Sequence, residues 1–306
     1  MNRQEKRGMA DLRHRDRKNR LRKLLAAKPQ PNRQIDPDAT SLVISSARGM
    51  CSVTNENGER LVRCDLPVAP GDEVALRHEK VAAIAPRRTT LSRADPGNPH
   101  RELVLAANID LLLIVAPLTD PPFRPGLIDR YLIAAARGGI QPVLCINKID
   151  LCRDTQPAEI FPIPKVRCSA LTGEGIDELQ ALIAGNLAVL AGHSGAGKSS
   201  LLNALIADTH GDARAPTGPV NRDTGKGRHT TTASRLYTLA NGGRIIDTPG
   251  IRELGLGALT RAELMAAFPE FSSENCRFAD CLHREEPGCA VRDPSNPRYR
   301  AWLRLA

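Results

Sequence analysis

The chain has 306 residues, enough for two or three folded domains, and its 41% apolar and 25% charged residues suit a folded soluble protein. No apolar run approaches the roughly 18–20 residues that cross a membrane, and the opening MNRQEKRGMADLRHRDRKNR lacks the apolar stretch of a secretory signal, so a cytoplasmic protein with no membrane association is expected. The net charge is +9, and residues 1–33 alone hold twelve Lys/Arg against three acids, so the excess sits in a detachable arm. Such an arm suits a polyphosphate partner such as nucleic acid, through counterion release. The other reading is a solvated extension without a partner.

Residues 1–38 read as this basic, disordered arm and a linker rich in Pro and Asp. Residues 39–92 hold short alternating runs broken by turns: SLVISS, then CSVTNENGERLVRCDL with a hairpin turn from Asn55 to Gly58, then VAPGDEVALR and KVAAIAPR. The spacing predicts a small OB-type β-barrel. Residues 41–89 contain no Phe, Tyr or Trp, so any RNA contact there must read backbone and shape, not stacked bases.

From 93 to 255 strands alternate with helices. Buried strands are predicted at 110–117 (DLLLIVAP), 141–147 (QPVLCIN), 166–169 and 186–192 (NLAVLAG), with helices over 127–137, 176–183 and 198–207. Residues 235–239 and 244–247 flank Asn241-Gly242-Gly243, a hairpin signal. This alternation predicts an α/β domain on a largely parallel sheet. Residues 256–306 read as a small, mainly helical domain with a Cys/His cluster in a loop. Phe268, Phe271, Phe278, Tyr299 and Trp302 can supply it with a separate core.

Three groups of motifs carry chemistry. Gly192-His193-Ser194-Gly195-Ala196-Gly197-Lys198-Ser199, with Ser200 behind it, fits GxxxxGK[ST] between a strand and a helix. Its backbone N–H groups can cradle a β-phosphate, Lys198 can reach the β/γ-phosphates, and the Ser199 hydroxyl can ligate Mg²⁺. Asp247-Thr248-Pro249-Gly250 ends a second strand, where Asp247 serves Mg²⁺, usually through water, and Gly250 leaves an N–H for a γ-phosphate. Asn147-Lys148-Ile149-Asp150 follows the 141–147 strand. Asp150 can accept from guanine N1–H and the exocyclic amine; adenine offers neither and would leave the carboxylate unpaired. The Lys148 stem can lie along the base and Asn147 can brace the loops. Ser169-Ala170-Leu171 can offer N–H to guanine O6. The base-reading loops precede the phosphate loop, the reverse of the usual GTPase order. A circular permutation of a P-loop GTPase explains this, because all these loops lie at one sheet edge.

Cys276-x₄-Cys281-x-His283-x₅-Cys289 supplies three thiolates and an imidazole, a closed tetrahedral set for one structural Zn²⁺ per chain. The alternative is free thiols. Leu282, between two of these residues, is expected to pack inside the module.

With NKID, SALTGEG, GHSGAGKSS, GRHTTT, DTPGIRE and the C-terminal spacing, residues 40–300 resemble the bacterial ribosome-small-subunit-dependent GTPases, the RsgA or YjeQ family. The resemblance implies GTP hydrolysis stimulated by the 30S subunit, binding through 16S rRNA, and a role late in that subunit's maturation. It also implies Thr231 as the Mg²⁺-ligating switch threonine, with Thr230 and Thr232 as alternatives. Ile251 occupies the position where many GTPases orient water with Gln, so His229 becomes the catalytic candidate beside Lys198. The zinc domain is expected to follow the switch, so that nucleotide state controls RNA grip. A monomer is expected. The competing readings are a GTP-gated RNA-binding factor with incidental hydrolysis, and an ATPase with a chance NKID.

Overall fold

The computed structural model describes residues 41–47, 49–56, 58–95, 97–206, 234–248, 255–256, 259–271 and 276–305. The basic arm lies outside the described residues.

Five short strands close the first barrel: β1 (Ser41–Ala47), β2 (Met50–Asn55), β3 (Gly58–Arg63), β4 (Glu73–Arg77) and β5 (Lys80–Ile84). Their order is β1-β2-β3-β5-β4, with β4 returning to β1 and β3 running parallel to β5. This is the OB arrangement. Alternation along β1 and β2 turns Val43, Cys51 and Val53 inward to meet Val62, Val74 and Val81. A core of β-branched side chains and thiols is small enough for so tight a barrel. Asn55 pairs with Gly58 across the predicted turn.

A two-stranded ribbon follows, β6 (Thr90–Asp95) with β7 (Asn98–Ala107). It spans position 92, where the sequence reading separates barrel from α/β domain. The ribbon belongs to the α/β side, because a Cβ on Gly138 at the end of the following helix would collide with the Thr90 carbonyl.

The central sheet contains β8 (Leu111–Pro117), β9 (Gln141–Asn147), β10 (Lys165–Arg167), β11 (Leu187–Ala191), β12 (Arg235–Thr238) and β13 (Arg244–Asp247). Its order is β10-β9-β8-β11-β13-β12. Every neighbouring pair is parallel except the β12–β13 hairpin. β8 is buried along its whole length because both sheet faces are covered. Leu112 and Ile114 join the face covered by α1 (Pro125–Gly138). Leu111, Leu113 and Val115 face α2 (Ile176–Ile183) and α3 (Lys198–Ile206). A continuous apolar strand is the sequence signature of that two-sided burial.

The C-terminal module carries α4 (Arg261–Ala267), started by a Thr260/Glu263 capping box, and α5 (Pro297–Leu305). Phe268, Phe271, Tyr299 and Trp302 form a connected set of ring contacts. That core is not separate: it is continuous with Tyr131, Ile133 and Phe161 on the α1 face of the sheet. Buried Arg298 is the reason. It donates to Asp129 of α1 and to Glu270, and its guanidinium lies over Phe268 and Phe161. Burial outweighs Arg298 in pushing the Asp129 carboxyl up to about 6. Phe278 and Leu282 are each 42% exposed, so neither contributes to the core as the sequence pattern suggests.

A second anchor joins the module to α1. Arg137 holds Glu263 through two nitrogens, at 2.5 and 3.1 Å, and donates to the Leu256 carbonyl at 2.6 Å. Arg137 holds the Glu263 carboxyl at about 2, below its ordinary 4.5. A depressed acid stabilises the fold fully above its unfolded value and loses that contribution as pH falls through the folded one. Arg137→Met should therefore cost about 1–2 kcal/mol at neutral pH. The gap from wild type should close as pH falls from 4.5 toward 2, read by urea unfolding at a pH series.

Candidate functional site

The parallel strands end together. Asn147 closing β9 lies opposite Pro117 closing β8, while Ala191 closing β11 lies opposite Ile114 and Asp247 opposite Leu190. The loops that follow share one edge, where an open α/β sheet binds ligands.

The phosphate loop runs from β11 into α3. Gly192 and Gly197 have φ of +146° and +88°. A Cβ at Gly192 would collide with the Val115 carbonyl, and one at Gly197 with Nδ2 of Asn147. These two glycines therefore supply both backbone freedom and close approach. Lys198 Nζ donates to the Gly192 and His193 carbonyls at 2.7 and 2.8 Å, across the bowl of its own loop. Ser194 and Gly195 are exposed at the tip, Ala196 is buried beneath it, and Ser199 and Ser200 sit in the first turn of α3. His193 is buried, with Nδ1 2.7 Å from the Ser194 carbonyl. Burial lowers its pKa, and Arg124, Lys198 and Lys148 lower it further.

Asn147 joins the two separated halves of the site. Its Nδ2 donates to the Ala196 carbonyl at 2.9 Å, inside the phosphate loop. Its Oδ1 accepts from the Ala170 N–H at 3.3 Å, inside the SAL loop. Ser169 Oγ donates to Asp150 Oδ1 at 2.5 Å and accepts from the Thr172 N–H at 3.1 Å. Asp150 thus has one oxygen held and a fixed orientation. Leu171 is 85% exposed, so only its backbone is well placed to serve a ligand. Lys148 adopts φ +60° and extends back to donate to the Asp120 carbonyl at 2.7 Å.

Asp247 is the last residue of β13. Burial raises its pKa and the Lys198 charge draws it back. Thr248 Oγ1 is buried with no hydrogen-bond partner among the described residues. Gly250, Ile251, His229, Thr231 and its neighbours Thr230 and Thr232 lie outside the described residues.

The sequence reading gave no role to residues 118–124, yet this loop borders the site through Asp120 and through Pro121 beside Gly195. Its signal was its place after a fully buried parallel strand.

The second cluster brings Cys276, Cys281, His283 and Cys289 together, with donor atoms all within 4.8 Å of one another. His283 Nδ1 lies 3.6 Å from Cys276 Sγ and 3.5 Å from Cys289 Sγ. A tetrahedral ion with bonds of about 2.0–2.3 Å sets such edges near 3.5–3.8 Å. The residues therefore fit a zinc-like ion, with Nδ1 as the imidazole ligand. The surroundings hold the donors in place. The Ala290 N–H donates to Cys276 Sγ, and Glu286 accepts from the Leu282 and Arg284 N–H groups. Tyr299 and Trp302 of α5 donate to the His283 and Leu282 carbonyls at 2.7 and 3.0 Å. Leu282 is exposed because its backbone is what α5 grips.

The family model "RsgA GTPase" matches residues 84–257. The "Small ribosomal subunit biogenesis GTPase RsgA" of Pseudomonas fluorescens Pf-5 is 38% identical, over 84% of this chain and 80% of the relative. The protein of the same name from Azotobacter vinelandii is 39% identical over the same shares. Among solved structures, YjeQ from Thermotoga maritima superposes with a TM-score of 0.66 at 27% identity, covering 87% of this chain and 96% of that one. YloQ, described as a circularly permuted GTPase, shares the fold with a TM-score of 0.60 at 22% identity, covering 91% and 96%. The inverted motif order, the OB-like barrel, the Cys/His module and these relatives place the chain in the RsgA family of circularly permuted GTPases.

Proposed function

We propose that this GTPase binds GTP in the edge site and hydrolyses it while serving biogenesis of the small ribosomal subunit. The observation that carries the reading is Asn147, which hydrogen-bonds the phosphate loop with one end of its amide and the SAL loop with the other. Base and triphosphate then share one rigid frame. Asp150 accepts from guanine, and the Ala170 and Leu171 backbone faces O6. The N–H groups of residues 192–198 wrap the phosphates, and Lys198 leaves its loop carbonyls for the developing negative charge. Ser199 and Thr231 would hold Mg²⁺, with Asp247 behind them; the metal supplies charge neutralisation at the phosphates. Water attacks the γ-phosphate with His229 as its orienting group.

The working division is an arm (1–38), a barrel (39 to about 89), a GTPase domain (about 90–255) that includes the β6–β7 ribbon, and a zinc module (256–306), acting as a cytoplasmic monomer that contacts 16S rRNA of the 30S subunit. One structural Zn²⁺ per chain supports the module. The deciding experiment is GTP turnover with and without purified 30S subunits. A large stimulation supports the reading. Unchanged turnover favours a GTP-gated RNA-binding factor, and ATP competing equally with GTP would favour an ATPase. His229→Ala should retain GTP affinity and lose about a hundredfold in stimulated turnover, the lower end of the range for a positioned proton-transfer group. Unaltered stimulated kcat removes His229 from the mechanism.

A further inference from the structure

His193 is only 9% exposed, and its Nδ1 lies 2.7 Å from the carbonyl oxygen of the next residue, Ser194. At that distance a proton must stand between nitrogen and oxygen, so Nδ1–H donates and the carbonyl accepts. The far side of the ring agrees. Nε2 is buried with no hydrogen-bond partner among the described residues. A proton there would be a buried donor without an acceptor, and a bare lone pair is the lesser cost. Burial lowers the ring's pKa, so at neutral pH one nitrogen alone carries a proton, and it is Nδ1.

The peptide held by this bond joins Ser194 to Gly195. It is trans, so its carbonyl and its N–H point in opposite directions. The carbonyl is drawn toward the buried ring, which turns the Gly195 N–H toward the exposed side of the loop, where Ser194 and Gly195 lie. The preceding peptide is held by other partners: the His193 carbonyl accepts from Lys198 Nζ at 2.8 Å and from the Ala196 N–H at 3.3 Å. Gly195 has φ +81°, a left-handed step of the kind that lets successive N–H groups form a concave anion cradle.

We propose that His193 is a positioning residue for nucleotide binding: by holding the Ser194 carbonyl, its Nδ1–H aims the Gly195 N–H at the phosphates. This rests on the edge site being the nucleotide site. The loop's N–H groups bind phosphate only when their directions converge. Without the ring's proton the Ser194–Gly195 peptide is free to rotate, and its N–H no longer stands ready for the ligand. The part of the side chain that matters is the donor at the Nδ1 position, not the volume of the ring.

The test uses the full-length protein and three substitutions that separate the two ring nitrogens. The amide nitrogen of Asn stands about where Nδ1 stands, that of Gln about where Nε2 stands, and Leu keeps apolar volume with no donor. Wild type, His193→Asn, His193→Gln, His193→Leu and Lys198→Ala are titrated with fluorescent GDP and a non-hydrolysable GTP analogue, beside thermal unfolding. His193→Leu and His193→Gln should raise Kd for both nucleotides about three- to tenfold, the range of one neutral hydrogen bond. His193→Asn should restore affinity to within about twofold of wild type. In parallel, ¹⁵N-histidine NMR of the wild type, with the His193 signals assigned by their loss in the Asn variant, should show Nδ1 protonated and Nε2 bare. This readout decides the proposal even where the Leu variant does not fold. A proton on Nε2 overturns it. So does a Kd in folded His193→Leu equal to that of wild type while Lys198→Ala loses binding, which leaves the site intact. Equal losses in the Asn and Gln variants overturn it as well, because they would show a need for the ring itself. Failure of the wild type to bind either nucleotide would instead remove the site reading.

Discussion

Replacing Asp150 with Asn will lower affinity for GTP about a thousandfold, ~4 kcal/mol, and raise affinity for xanthosine triphosphate. Guanine presents two donors on one edge, N1–H and the exocyclic amine. The Asp150 carboxylate presents two acceptors, and Ser169 Oγ orients one of them at 2.5 Å. In the Asn variant one acceptor becomes an NH₂ group. Two donors then face each other, and the guanine amine is buried without a partner. Xanthine carries a carbonyl where guanine carries the amine, so the same Asn would complete both bonds. Competition binding against a fluorescent nucleotide reads both affinities from one series. A uniform loss for every base would mean that Asp150 acts through loop folding, through Ser169, and not through the base. An unchanged preference for guanine would remove the base-reading assignment.

The sequence exposed most of this frame because the chemistry of a nucleotide loop constrains residues locally. Gly192 and Gly197 are forced by backbone approach, and Lys198 answers to the phosphate charge proposed for this loop, so their spacing survives as a readable string. The two-sided burial of β8 and β9 left continuous apolar runs for the same reason. Even the permutation was legible, since it changes loop order without changing which strand end each loop follows. What escaped depended on partners distant in sequence. Position 92 fell inside a ribbon because β6 is a short polar strand whose pairing with β7 leaves little apolar alternation. The separate C-terminal core failed as an expectation because Arg298 reads as one more charge in a basic helix. Only its placement between Asp129, Glu270 and two aromatic rings makes it an internal joint. Leu282 reads as a core residue by composition, yet its backbone carbonyl is the part that Trp302 uses.

The same joint decides what loss of the metal will do. A module of about 50 residues holds only a few kcal/mol in its own core, while a structural zinc ion contributes on the order of 10 kcal/mol. The purified protein should contain one zinc per chain, and Cys281→Ala should contain none. Trp302 is the only tryptophan in the chain, is 1% exposed, and lies 5.6 Å from His283 edge to face. Its emission therefore reports the module alone. Chelation, or Cys281→Ala, should shift that emission to longer wavelength and remove the grip of Tyr299 and Trp302 on the His283 and Leu282 carbonyls. Arg298 would then lose its packing on Phe268, and the Asp129 carboxylate would be opened to water. The barrel core and the core on the α2/α3 face of the sheet contain no residue of the module, so nucleotide binding should persist within a fewfold while the 30S-stimulated rate falls sharply. If chelated protein keeps blue-shifted Trp302 emission and full thermal stability, the four residues are not a structural metal site. If nucleotide binding collapses together with the module, the two α1 anchors carry more of the fold than the cores they join.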